Sequence, residues 1–336
     1  MNRQKWLLAG LGILISLVFL WIAFNNLNLG DVWVNIQRAN IGWLLVATAV
    51  FFVSVVVIAL RWQFLLRSIR HIPLRDLNAL VLIGYAGNNI YPFRTGEILR
   101  IVLLQRRYQV PMIRTTTTII VERVFDGLVM LTFIIVPLLF LDISSPEVRT
   151  GASIATPIFV TALAVFFVLA ARPQLLRTLL RFISRLLPER LSDILNSIGE
   201  DIISGLAGLR TPADLAGTVF CSYLTWAIGA VVYMQVGYAL GLDLSYPLAL
   251  VVVGVVNLAG LIPASPGMLG IFEASVKLVL VAAGLPELDA ITYALALHVV
   301  IWLPATVAGL YLLLRQGLSL GAITQAQQLE HNAAGG

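Results

Sequence analysis

The sequence predicts an all-α polytopic membrane protein with about six full spans and two broken re-entrant helical hairpins, arranged as an inverted repeat. Three observations lead there. Of 336 residues, 59% are hydrophobic and 12% charged, about half the charged share of a soluble domain. The apolar residues fall in blocks that match the roughly 20 residues needed to cross a hydrocarbon core. Basic residues gather on alternate loops, which sets an orientation because cytoplasmic loops are rich in Lys and Arg.

Taken in order, the first block is Trp6–Phe24, uncharged, with Arg3 and Lys5 before it. That flank suits a signal peptide as well. The block ends in bulky Phe19, Leu20, Trp21 and Phe24 without a small-residue cleavage site, so it reads as a retained first helix. Further spans are Ile41–Leu60, Thr115–Leu141, Ala152–Ala171, Ala213–Leu242 and Ile291–Leu314. Arg61-Trp62, at the end of the second, reads as an interface anchor. The run Thr115–Thr118 reads as helix packing or a helix start.

Two apolar regions are broken. Leu77–Leu104 is interrupted by Gly87, Asn88, Asn89, Pro92 and Gly96. Pro247–Ala283 is interrupted by Asn257, Gly260, Pro263, Pro266, Gly267 and Gly270. Gly and Pro end helices, and lipid tolerates no exposed irregular backbone. Each region is therefore a pair of short helices or a re-entrant hairpin shielded by its neighbours. Charge separates the two readings. Arg61, Arg67, Arg70 and Arg75 precede the first region and Arg106, Arg107 and Arg114 follow it, so both flanks are cytoplasmic. Asp243 precedes the second, and Glu287 and Asp289 follow it, so both its flanks lie outside. With both termini cytoplasmic, 16 of the 22 basic residues face inward and only Arg38 and Arg149 outward. The setting is a bacterial-type inner (cytoplasmic) membrane.

The units 41–141 and 213–314 each read span, broken hairpin, span, in opposite orientation. That is a transporter architecture with its substrate near the midplane. Residues 1–315 form one transmembrane unit, and 316–336 a short polar cytoplasmic tail. Between the halves, Pro173–Arg210 carries Arg177, Arg181 and Arg185 opposite Leu175, Leu176, Leu179 and Ile183. This is a basic amphipathic segment suited to an anionic interface, or else a solvated connector. Cys221 is the single cysteine, and His71, His298 and His331 are scattered. No cofactor, metal site or internal disulfide is expected. The net charge of +5 reflects topology rather than a nucleic-acid partner.

The polar residues inside apolar sequence are the candidate substrate-binding set, since charges at depth mark pathways. The first hairpin supplies Asn88, Asn89, Arg94, Gly96, Glu97 and Arg100, with the three charges at helical spacing. Its half-helix start offers N–H groups to a phosphate. The next span supplies Glu122, Arg123 and Asp126; Arg123 can pair with Asp126, and the group can equally form an ion-paired lock with Arg94 or Arg100. The second hairpin supplies Ser265, Gly267, Gly270, Glu273 and Lys277, the last two as i, i+4 partners. His298 is read as a residue that hydrogen-bonds a neighbour, with a proton relay as the lesser alternative.

At these motifs the chain resembles the lysylphosphatidylglycerol synthase transmembrane-region family of flippase-like membrane proteins. The likeness rests on Arg61-Trp62, on Asn88-Asn89 followed by Pro92-x-Arg94-x-Gly96-Glu97-x-x-Arg100, on Glu122-Arg123-x-x-Asp126, and on Pro263-x-Ser265-Pro266-Gly267-x-x-Gly270-x-x-Glu273. Phe93, Thr95 and Met268 depart from the family pattern. The resemblance implies a module that moves lipids between leaflets. In some members it is fused to a soluble domain that aminoacylates phosphatidylglycerol; Gln316–Gly336 is too short for that domain, so synthase activity is not expected. The expected function is a flippase for a phospholipid or polyprenyl-linked lipid with an anionic headgroup, without enzymatic activity. Its partners are membrane lipids and a separate lipid synthase or glycosyltransferase. The rivals are a lipid-modifying membrane enzyme and a non-catalytic scaffold for such a synthase.

Overall fold

A computed structural model describes residues 3–25, 27–91, 95–138, 157, 161, 173–185, 188, 191–193, 195–196, 211–262 and 266–316. The described residues are helical, with no strand among them. The helices are α1 (Arg3–Phe24), α2 (Leu29–Gln37), α3 (Ile41–Leu66), α4 (Leu74–Ile90), α5 (Thr95–Tyr108), α6 (Met112–Leu138), α7 (Pro173–Ser184), α8 (Pro212–Ala239), α9 (Tyr246–Ala259), α10 (Ile271–Ala282) and α11 (Glu287–Arg315). A 3₁₀ turn, Pro266–Met268, precedes α10. Arg94, Ser265, the expected span Ala152–Ala171 apart from Pro157 and Thr161, and the tail beyond Gln316 lie outside the described residues.

Three helices, α3, α8 and α11, are long and apolar enough to cross a membrane. A fourth crossing results if α1 and α2, bent by 77°, form one broken span. By its composition the stretch 25–40 between the first two apolar blocks reads as a loop. Instead Asn28 caps α2 by accepting from the Gly30 N–H at 2.9 Å, a standard way to satisfy a helix start. Helix α6 covers the expected Thr115–Leu141 span as far as Leu138, where the described residues stop, but carries Arg114, Glu122, Arg123 and Asp126, so it is not an apolar crossing of the same kind. Its threonines mark a helix start: Thr115 to Thr118 all donate to carbonyls three or four residues back.

Both broken regions fold back on themselves. In the first, Gly96 of α5 lies against Gly84 and Gly87 of α4, and Arg100 further along α5 reaches back to Gly84. The arms are thus antiparallel and touch backbone to backbone: a Cβ on Gly96 would stand 1.8 Å from the Gly84 carbonyl oxygen. In the second, α9 and α10 pack together, and Met268 turns back on Gly260.

The arms pack on the long helices in a regular pattern. Helix α3 runs along α8, with Phe64 pressed on Gly217. Helix α4 lies on α11, where Gly309 meets the Leu82 carbonyl, and α9 lies on α6, where Gly254 meets the Met130 carbonyl. Small residues at such crossings let backbones approach where packing rather than water drives association. Helix α1 covers α10 at Gly270. Helix α7 leaves Leu175, Leu179, Phe182 and Ile183 exposed beside Arg177 and Arg181, as an interfacial helix would.

Candidate functional site

The charged residues of α3, α5 and α6 converge on one buried centre. Arg61 reaches Glu122 at 2.9 Å and Asp126 at 2.5 Å. Arg100 grips both oxygens of Glu122, at 3.2 and 3.0 Å. Its guanidinium lies 4.0 Å over the Trp62 ring, a favourable cation–π placement. Arg123 completes the group through Glu122 at 2.7 Å, Asp126 at 3.4 Å and Glu97 at 3.8 Å. The Trp226 indole donates to Asp126 at 2.8 Å. Three guanidinium groups therefore face three carboxylates. Burying an ion pair is costly unless its geometry is good and its remaining valences are filled; the multidentate contacts meet the first condition, while Nε of Arg61 and Nε of Arg100 stay buried without a hydrogen-bond partner.

Burial divides the cluster. Arg61 and Glu122 are almost wholly enclosed, whereas the side chains of Arg123 and Glu97 are 38% and 22% exposed. Those two face a cavity of about 500 Å³. Its lining joins this charged group, many apolar residues such as Phe51, Ile58 and Val232, and His298 with Trp302. The arrangement can hold a polar headgroup against Arg123 and Glu97 while apolar parts lie along the walls. The Glu122–Asp126 pair is saturated by arginines, and among the described residues no group of three His, Cys, Asp or Glu is placed to hold a metal ion.

The two hairpin tips meet beside the cavity. Asn88 Oδ1 accepts from the Gly96 N–H at 2.8 Å, bridging the first turn. The expected open helix start is therefore capped at that amide. Asn89 donates to Thr306 at 2.8 Å and to the Trp302 carbonyl at 3.3 Å, pinning the first tip to α11. At the second tip Gly267 and Gly270 have φ of +70° and +86°, a region that favours glycine. Gly267 rests on Trp302, close to the Asn89 carbonyl. Glu273 reaches back to accept from the Gly270 N–H at 2.7 Å, and its other oxygen meets His298 Nδ1 at 2.5 Å.

The sequence thus marked residues that the structure brings together: Asn88, Asn89, Gly96, Glu97, Arg100, Glu122, Arg123, Asp126 and Gly267 line the cavity or its tips. Gly270 and Glu273 stand just behind. Lys277 stands apart: it pairs with Glu287 at 2.7 Å and donates to the Ala23 carbonyl at 3.2 Å, rather than pairing with Glu273. An i, i+4 spacing permits a pair, but each side chain found a better partner on another helix. Arg61-Trp62 is a correction as well. Both are buried, Trp62 donates to Thr118 at 3.1 Å, and α3 continues to Leu66. An arginine followed by a further helical turn, rather than by a loop, was the available signal. His298 and Trp226 join the site through contacts distant in sequence, which no local pattern announces.

Comparison with known proteins fits this picture. The family described as "Lysylphosphatidylglycerol synthase TM region" matches residues 10–309. The chain is 26% identical over 257 residues to glycosyltransferase AglD of Haloferax volcanii, a match over 68% of this chain and 41% of that protein. It thus spans less than half of that relative's length. It is 21% identical over 336 residues to the UPF0104 membrane protein PH1989 of Pyrococcus horikoshii, over 92% of this chain and 97% of that one. A match across nearly the whole described bundle, including every charged motif of the cavity, places this multi-pass membrane protein in the lysylphosphatidylglycerol synthase TM region family.

Proposed function

We propose that this protein is a lipid transporter that carries a phospholipid or polyprenyl-linked lipid with an anionic headgroup between leaflets of the cell inner membrane. One observation carries the reading: a cavity with a charged group, apolar walls and two broken-helix tips, inside a bundle of apolar helices. Arg123 receives the headgroup phosphate and Glu97 balances it, while the acyl or prenyl chains lie along the apolar walls. The protein carries out no bond chemistry of its own, and its partners are lipids together with a separate lipid synthase or glycosyltransferase.

The proposed architecture is six spans and two re-entrant hairpins in an inverted repeat, with both termini cytoplasmic. The helix contacts support the repeat. Exchanging α3 with α8, α4 with α9, α5 with α10 and α6 with α11 maps the packed pairs among these eight helices onto themselves, whereas the contacts of α1 with α10 and of α2 with α11 have no counterpart. The pairs α4–α11 and α9–α6 exchange, as do α3–α4 and α8–α9, and each crossing of the first kind has one glycine at its closest approach. Inverted repeats with discontinuous helices are the architecture of alternating-access carriers.

The test is transbilayer movement of fluorescent lipids in proteoliposomes. Anionic reporters should move faster than zwitterionic ones, and Arg123→Gln should abolish the difference. The match to a glycosyltransferase favours a second reading, in which the bundle docks or serves a separate lipid-modifying enzyme. That reading predicts no movement of any lipid by the purified protein.

A further inference from the structure

Each hairpin's second arm holds a buried ionisable pair with the long helix that follows it. On the first side the pair is Arg100 of α5 with Glu122 of α6; on the second it is Glu273 of α10 with His298 of α11. The two differ in one chemical respect. Arginine keeps its proton under all conditions met by a protein, so the first pair is permanent. Histidine and glutamate both exchange protons in the accessible range.

The hydrogen bonds of the second pair determine how many protons it holds. His298 Nε2 lies 2.9 Å from the Gly267 carbonyl oxygen. A carbonyl only accepts, so Nε2 carries a hydrogen. Nδ1 faces Glu273 Oε1 at 2.5 Å. That contact needs a hydrogen too, on the ring as imidazolium or on the carboxyl group as a neutral acid. The other oxygen of Glu273 already accepts from the Gly270 N–H. The dyad as built therefore holds one proton more than a neutral histidine and a carboxylate. Without it, the single ring hydrogen can serve only one contact: either the Nδ1 lone pair faces a carboxylate or the Nε2 lone pair faces the Gly267 carbonyl, in a site where His298 and Glu273 are 7% and 1% exposed.

We propose that Glu273 and His298 form a proton-binding site whose occupancy closes the second hairpin tip. Glu273 holds Gly270 and His298 holds Gly267, so the dyad clasps both ends of the turn between them. Phe272 stacks on the imidazole with ring centroids 4.4 Å apart. His298, Gly267 and Phe272 line the same cavity as Arg123 and Glu97, which gives the proton a route. Among the described residues no other charge competes for the pair. On α10 Lys277 is taken by Glu287, α1 brings Ser16 and Leu20 to Gly270, α4 brings Asn89, and α11 adds Trp302 and Thr306. Across the cavity Arg123 and Glu97 are engaged with each other and with α6. Proton release leaves the repulsive contact, frees the tip and opens that side of the cavity. The linkage of this proton to lipid movement rests on the carrier reading; the proton site itself does not.

The test is hydrogen–deuterium exchange of the segment 266–272 in the full-length protein in nanodiscs, from about pH 5 to 9, which brackets histidine titration. Rates are corrected for the intrinsic chemical dependence on pH. In the native chain, exchange should rise by about tenfold or more beyond the chemical rate as pH increases, because the open tip gains population. Glu273→Gln supplies a carboxamide N–H to Nδ1 and a carbonyl to Gly270, mimicking the protonated clasp without a titratable group. Its exchange should follow the chemical rate alone, with the tip protected throughout. His298→Gln removes the same proton from the other side and should also be flat. A native segment that tracks the chemical rate at every pH overturns the proposal, and so does a pH-dependent opening that survives both substitutions. Neither outcome depends on whether any lipid moves.

Discussion

Glu122 and Arg123 are neighbours in sequence and opposites in burial, and this sets what each substitution does. Glu122 is enclosed between Arg61 and Arg100, so Glu122→Ala leaves two buried guanidinium groups without their shared partner. Breaking a buried pair costs about 3–5 kcal/mol, and the melting temperature in detergent should fall sharply. Arg123 is partly exposed to the cavity, so Arg123→Gln should leave the melting temperature almost unchanged while removing lipid selectivity. Measuring melting and lipid movement on both variants separates scaffold from ligand contact. At this scale the sequence was informative about which residues matter and less so about their partners. Charges within apolar stretches are conspicuous, and Glu122, Arg123 and Asp126 stood out for that reason. The Arg61 link to α6 and the His298 link to α10 join residues 61 and 25 positions apart; tertiary packing alone creates such contacts. Lys277 shows the converse, because a favourable local spacing lost to Glu287 on the next helix.

Between elements, glycines decide how closely the hairpin arms approach. Gly96→Ala would place a methyl group 1.8 Å from the Gly84 carbonyl oxygen, so α4 and α5 must separate. That pulls Arg100 from Glu122 and opens the tip, and the variant should be unstable in a thermal-shift assay. Gly127 on α6 is the matched control, with nothing within 4 Å of an added Cβ. Gly127→Ala should be neutral or stabilising, by up to roughly 1 kcal/mol from reduced backbone entropy. The breaks themselves were legible, since Pro and Gly in mid-region have few other meanings in lipid. Legible too were the long apolar helices α3, α8 and α11, where length and hydropathy suffice. Helix α2 was not, because nine residues with a mixed face do not stand out from a loop. Its cap at Asn28 was the available signal.

For the whole molecule, the proposed orientation puts Asp243 outside and Ser184 in the cytoplasm. In a Cys221→Ala background, Asp243→Cys should react with an impermeant thiol reagent added to intact cells, and Ser184→Cys should not. The reverse pattern would overturn the orientation. In the sequence the proposed repeat rests on a matching order of spans and breaks. The exchange symmetry of the helix contacts is a property of packing, which no single sequence displays.

Whether the charged cavity carries lipid is decided by anionic lipid movement in proteoliposomes made with the native chain, Glu97→Gln and Arg123→Gln. Movement by the native protein that both variants lose while keeping the native melting temperature is the predicted result. Native-rate movement by both variants, or no movement of any lipid by the native protein, would contradict it.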